Sequence, residues 1–206
     1  MARQSVTDPV RNFKFQVTIN PSGGLKAIVG SEIQRLGFSV VSGISVQNEL
    51  IAYREGGMNT HPHKMIGQSD YGPVTFSKGV FGHEASLSRW QDFLHSWSQG
   101  GQSGGSTPDF NDYRCDITVV VFDHPVSAGS YETPGATSQN QVSLGKAKLG
   151  YKLHNCWPGS YSLTDLNAGD SSIMIQQLVI NHEGFELAFS PSRDGQIDPA
   201  ALGALS

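Results

Sequence analysis

The chain has 206 residues, a formal net charge of −4, and 16% charged side chains, against about 25% in an average domain. Its length suits one domain or one large sandwich or barrel. The absence of any Lys/Arg cluster excludes tight non-specific grip on DNA. No apolar run approaches the ~20 residues of a membrane span, so no membrane insertion is expected.

Asp8-Pro9 is a turn signal. Phe13, Phe15, Val17 and Ile19 then alternate with Lys14, Gln16 and Thr18. That pattern predicts a half-buried strand, stopped by Asn20-Pro21-Ser22-Gly23-Gly24. Phe38–Val41 reads as a short strand closed by Ser42-Gly43. In the next strand Ile44, Val46 and Leu50 share a face, and at Leu50-Ile51 the apolar phase flips so that Ile51 and Tyr53 continue on the other face. Because side chains alternate with period two, a flip implies a bulge or a change of environment. The strand ends at Tyr53-Arg54-Glu55-Gly56-Gly57, with the glycines as a pivot. A polar loop without apolar periodicity is expected from there to Pro73.

Val74, Phe76 and Val80 alternate again. Leu87, Trp90, Leu94 and Trp97 then fall on one helical stripe, with Ser86 as the expected N-cap and Gly100-Gly101 as the stop. Gln99–Thr107 is a glycine-rich linker. Tyr113, Cys115, Ile117, Val119 and Val121 form a β-branched strand, and Val120 and Phe122 predict burial of its end on both faces. His124–Val142 is a second long polar loop. Ala147, Leu149, Tyr151 and Leu153 mark another strand, with Lys146, Lys148 and Lys152 expected on its solvent face. Ile173–Ile180 reads as a strand buried on both sides, and Phe185–Phe189 as a closing one. The segment after Pro191 is expected to be a tail. The strands do not alternate with helices, so a parallel α/β sheet is excluded. The fold expected is mainly β, an antiparallel β-sandwich or barrel with one flanking α-helix. It is read as a single domain over 1–206, with a core at about 8–189, insertions at 99–111 and 123–143, and a tail at 190–206.

No catalytic constellation emerges. His61-Pro62-His63 has metal-like spacing but no further ligands nearby. No G-x-S-x-G elbow is present, and Gly100–Gly105 lacks the Gly-Lys-Ser/Thr of a phosphate loop. Asp165 and Asp170 are turn residues. Cys115 and Cys156 are read as buried free thiols, and a disulfide needs a geometry the sequence does not reveal. Residues 1–9 lack the apolar stretch of a signal peptide, so the chain is expected to stay in the cytoplasm or leave by a route other than secretion. No enzyme activity and no cofactor are expected.

Three blocks carry a resemblance: Asp8-Pro9 with the Phe13–Ile19 strand; GFSVVSGISVQNELIAYREGG (37–57) followed by YGPVTFSKGV (71–80) and the Trp90 helix; and HNCWPGSYSLTDLNA (154–168) followed by Ile173–Ile180 and Asn181-His182-Glu183-Gly184-Phe185. In order and separation they resemble the tail tube protein family of phages and contractile injection systems. The resemblance covers most of Asp8–Phe189. It implies a homo-oligomer of six-fold rings stacked into a hollow tube, located in a virion tail or a contractile injection particle. It implies a tape-measure protein and DNA or effector cargo in the lumen, and sheath, baseplate and tail terminator proteins as further partners. It also implies an arm that reaches an adjacent ring or subunit. We assign that arm to Tyr53, Arg54, Glu55, Gly56, Gly57, Met58, Asn59, His61, His63 and Lys64. Related readings are an inner tube or tube–baseplate adaptor of a bacterial injection system. A carbohydrate-binding β-sandwich is the reading from another class, and no cluster of loop aromatics supports it.

Overall fold

A computed structural model describes residues 10, 12–21, 25–26, 37–57, 60–82, 85–98, 113–122, 147–169 and 171–189. The insertions at 99–111 and 123–143, the tail, Gly100-Gly101, Lys146 and Asp170 lie outside them. The elements are β1 (Phe15–Pro21), β2 (Val40–Ser42), β3 (Val46–Tyr53), β4 (His63–Tyr71), β5 (Val74–Gly79), α1 (Ser86–Ser98), β6 (Cys115–Phe122), β7 (Ala147–Leu163), β8 (Ile175–Asn181) and β9 (Gly184–Phe189). Every strand pairing is antiparallel.

Strand β7 belongs to two sheets. Its first half lies between β6 and β9, with β1 beyond β6. Its second half pairs with β8, followed by β5 and β2. The two sheets therefore share one long strand and fold over each other. Sequence alternation ends at Leu153, but pairing continues through Pro158 to Leu163, with the ladder register shifting at Pro158/Ser160. The strand turns its corner at Asn155, whose φ of 52° lies in the left-handed region that Asn tolerates.

The inner face of the first sheet is apolar in rows. Ile19, Ile117 and Leu153 form one fully buried row with Phe185 at its end. Val74, Phe76, Leu178 and Ile180 supply the facing layer, and Leu87 and Trp90 of α1 join the same core. Trp90 is 0% exposed, and its indole N–H donates to the Tyr113 carbonyl at 3.2 Å, so the largest core side chain has its one polar atom satisfied. Toward the other end, Phe15, Val40, Val41, Val119 and Tyr151 line an open groove of about 470 Å³ between edge strands β1 and β2. Among the described residues no pairing joins β1 to β2 there.

Four expectations need correction. Lys152 is not on a solvent face; it is 5% exposed, with its ammonium 3.6 Å from the Asp116 carboxylate. Alternation gave the direction of its side chain, but the outer face of this sheet is itself covered: Val120, Phe122 and Ala147 form a second buried cluster there. Ser86 opens α1 but does not cap it. Its hydroxyl has no hydrogen-bond partner, and the first helical bond runs from Arg89 N–H to the Ala85 carbonyl. Phe13 and Ile173 lie outside the strands and are exposed. The polar loop expected up to Pro73 is largely a strand, β4.

Candidate assembly surface

Strands β3 and β4 form a two-stranded ribbon apart from the main sheets. All eight residues of β3 are exposed, and so are seven of the nine in β4. Eight or nine extended residues span roughly 25–30 Å. Isolated hairpins are marginal in water, and unpaired edges are templates for further pairing. Among the described residues, no strand pairs with either long edge of this ribbon and neither face is buried.

The phase flip in β3 has a structural counterpart. The register shifts between Asn48 and Leu50 because two β4 residues, Gly67 and Gln68, lie opposite Glu49 alone. A Cβ on Gly67 would lie 3.0 Å from the Glu49 Cβ and 3.1 Å from its carbonyl oxygen, so the bulge favours glycine. Beyond it, Leu50 pairs with Ile66 and Ile51 with Met65. Adjacent strand residues point to opposite faces, so one level of the ribbon carries an apolar pair on each face. Ile66 is 83% exposed, and the other three lie between 46% and 58%.

The arm residues gather at the distal end. Tyr53 pairs with His63 and Ala52 with Lys64. Arg54, Glu55, Gly56 and Gly57 lead into the turn, and all are exposed. The rings of His61 and His63 meet edge-on, 6.1 Å apart. Met58 and Asn59 lie outside the described residues. Gly57, at φ +96°, sits at the tip, so Gly56-Gly57 is not the pivot.

The fixed point is at the base. Gly43 has φ +95°, and a Cβ there would lie 2.5 Å from the Pro73 carbonyl oxygen. Gly72 N–H donates to the Ser45 carbonyl at 3.2 Å. The nearly buried ring of His182 sits between two carbonyls, with Nε2 3.0 Å from Gly72 O and Nδ1 3.1 Å from Gly184 O. A neutral imidazole donates to only one of these, and an imidazolium to both. The Tyr71 ring packs 5.8 Å from both His182 and Phe185. The base of the ribbon is thus held against the β8–β9 turn and the start of β9.

This anchor continues into the corner of β7. Asn155 donates through its backbone N–H to Asp116 Oδ1 at 3.2 Å and through Nδ2 to Glu183 Oε2 at 2.6 Å. Arg114 pairs with the same Glu183, and Glu183 N–H donates to the His154 carbonyl at 3.1 Å. The corner and the ribbon base thus meet at adjacent residues, Glu183 and His182. Sequence reading did not single out His182, Asn155 or Glu183 as a group. Their signal was the block 154–168 together with 181–185, which the fold brings side by side where β7 meets the β8–β9 turn. Among the described residues, no three His, Cys, Asp or Glu side chains come together to hold a metal ion.

A family model described as T4-like virus tail tube protein gp19 matches residues 11–186. Among solved structures, the tube-terminating cap of the anti-feeding prophage superposes with a TM-score of 0.59 at 19% identity, covering 92% of this chain and 100% of that one. The sheath–tube complex of an extracellular contractile injection system, PVC, gives 0.57 at 19% identity, covering 90% and 95%. The anti-feeding prophage baseplate gives 0.60 at 15% identity, covering 89% and 97%. At these identities the likeness is one of fold. No match is found among curated proteins.

Proposed function

The chain belongs to the T4-like virus tail tube protein family, and we propose that it is the repeating subunit of a phage tail tube, stacked in six-fold rings into a hollow conduit for DNA. It is a structural protein of the tail tube type and not an enzyme. The observation that carries the assembly reading is the β3–β4 ribbon, which exposes apolar pairs on both faces and two unpaired edges. Among the described residues nothing covers this element, and copies of the same chain supply repeating edges to pair with it. Contact between different patches of like subunits closes into rings or runs on as a stack. In this reading the ribbon tip, Tyr53 to Lys64, is the contact between rings. A net charge of −4 suits a neutral to acidic lumen that passes DNA without gripping it. Tape-measure protein within the lumen, and sheath, baseplate and terminator at its surfaces and ends, are the partners this reading calls for. The inner tube of a bacterial contractile injection system is the second reading, favoured by the fold likeness to injection-system components.

Negative-stain electron microscopy of the purified chain tests the proposal. Rings or hollow rods are expected. A persistent monomer at high protein concentration overturns it. With Arg54→Ala and Glu55→Ala together, a folded subunit that stacks poorly is expected. Unchanged rods would remove the tip from the ring-to-ring contact.

A further inference from the structure

The two cysteines sit apart from the ribbon, at the corner. Cys115 of β6 and Cys156 of β7 are direct register partners, and both side chains lie in the same core cluster. Both are free thiols. Residues directly opposed in an antiparallel ladder have Cα atoms about 4.5–5.5 Å apart, inside the roughly 4.4–6.8 Å that a disulfide spans. The pair also lies just past the place where β7 carries one extra residue, opposite Asp116. Bulges loosen the local ladder, which gives the two Cβ atoms room to adjust.

We propose that Cys115 and Cys156 are a redox pair, a dithiol that closes to a cross-strand disulfide when the chain passes from a reducing to an oxidising compartment. The closed bond fastens β6 to β7 where β7 changes sheets. This inference stands on the corner alone and is independent of the tube reading. The oxidant is a low-molecular-weight disulfide. One cysteine sulfur, as thiolate, attacks it, and one small thiol leaves. The second cysteine sulfur then attacks the mixed disulfide at the protein sulfur, and the second small thiol leaves. The protein pair loses two electrons and two protons, and the oxidant gains both as two free thiols.

Burial sets the pace. Desolvation pushes the Cys156 thiol up to about 12, and Asp116 adds to the shift, while a hydrogen bond from the Ile117 backbone offsets part of it. Desolvation also raises Cys115 well above its usual value, with the neighbouring Cys156 and Asp116 contributing. Thiolate is scarce in the closed corner, so exchange proceeds during folding or transient opening. The same burial shields the finished bond from reductants.

The test uses the full chain, equilibrated in glutathione buffers from fully reduced to fully oxidised, both native and during refolding. Acid quench, denaturation, alkylation and intact mass follow. The expected product lacks two hydrogens, carries no glutathione and no alkyl group, and reverts with dithiothreitol. Its unfolding midpoint is expected to rise by roughly 5–10 °C. Cys115→Ser and Cys156→Ser should each abolish that redox-dependent rise. Two alkylated cysteines after oxidative refolding, glutathione adducts, or intermolecular dimers would overturn the proposal. So would a rise that persists in either serine variant.

Discussion

The sandwich and the β3–β4 ribbon are built from the same kinds of residues to opposite effect. In the sandwich, Ile117, Leu153 and Trp90 are almost wholly buried, and cross-strand neighbours on the inner face are apolar row by row. In the ribbon, Leu50, Ile51, Met65 and Ile66 pair just as regularly, yet all four face solvent. Burial of a Leu or Ile side chain contributes about 1.5–3 kcal/mol. The ribbon forgoes that contribution within the isolated subunit. The comparison teaches that the subunit's own stability resides in the sandwich, while the ribbon is the region that the proposed function assigns to assembly.

The largest effect should come from breaking this division at the core. Trp90→Ala removes a fully buried ring and its hydrogen bond to Tyr113, and a loss of about 3–5 kcal/mol is expected in chemical denaturation. The paired change Leu50→Ser with Ile66→Ser alters larger exposed surfaces. It should shift stability by under about 0.5 kcal/mol while abolishing rods in sedimentation and microscopy. A ribbon variant that unfolds the subunit, or one that assembles normally, would erase the division.

A smaller effect is expected where the two regions join. Gly43→Ala places a Cβ against the Pro73 carbonyl at a φ that L residues rarely adopt. A cost of about 1–3 kcal/mol is expected, together with faster amide exchange at Gly72, whose bond to Ser45 fixes the ribbon's exit. Full stability in this variant would show that the ribbon is held by His182 and Tyr71 alone.

Legibility in the sequence followed the same division. Strands with one face on the core, such as β1 and β6, and the Trp90 stripe of α1 carry the period that burial imposes. The antiparallel sandwich with a flanking helix follows from them. Strand β4 was unreadable because neither of its faces is buried among the described residues, so no core imposes alternation on HKMIGQSDY. The flip at Leu50-Ile51 marks the level at which the ribbon carries an apolar pair on each face. Lys152 misled because pattern gives the direction of a side chain but not what lies over it. The corner of Asn155, His182 and Glu183 depends on contacts 28 residues apart in sequence, which no local pattern encodes.

The last predicted effect belongs wholly to the sandwich and so tests the comparison from the other side. In the unfolded chain a cysteine thiol loses its proton near pH 8.5. In the folded corner, desolvation holds Cys156 protonated up to about pH 12 and raises Cys115 as well. Between those values the unfolded state has released protons that the folded state retains, so stability must fall as pH rises. The contribution is fully present below about pH 8 and is lost progressively on the alkaline side. For two thiols the fall between pH 8 and 9 is about 1.4 kcal/mol. Reduced protein should show it in urea denaturation at the two pH values, and Cys115→Ala with Cys156→Ala should flatten the slope by that amount. The Leu50→Ser, Ile66→Ser variant should retain the full slope, because no thiol lies in the ribbon. An equal flattening in both would mean that the ribbon and the corner unfold as one unit, and the division between them would fail.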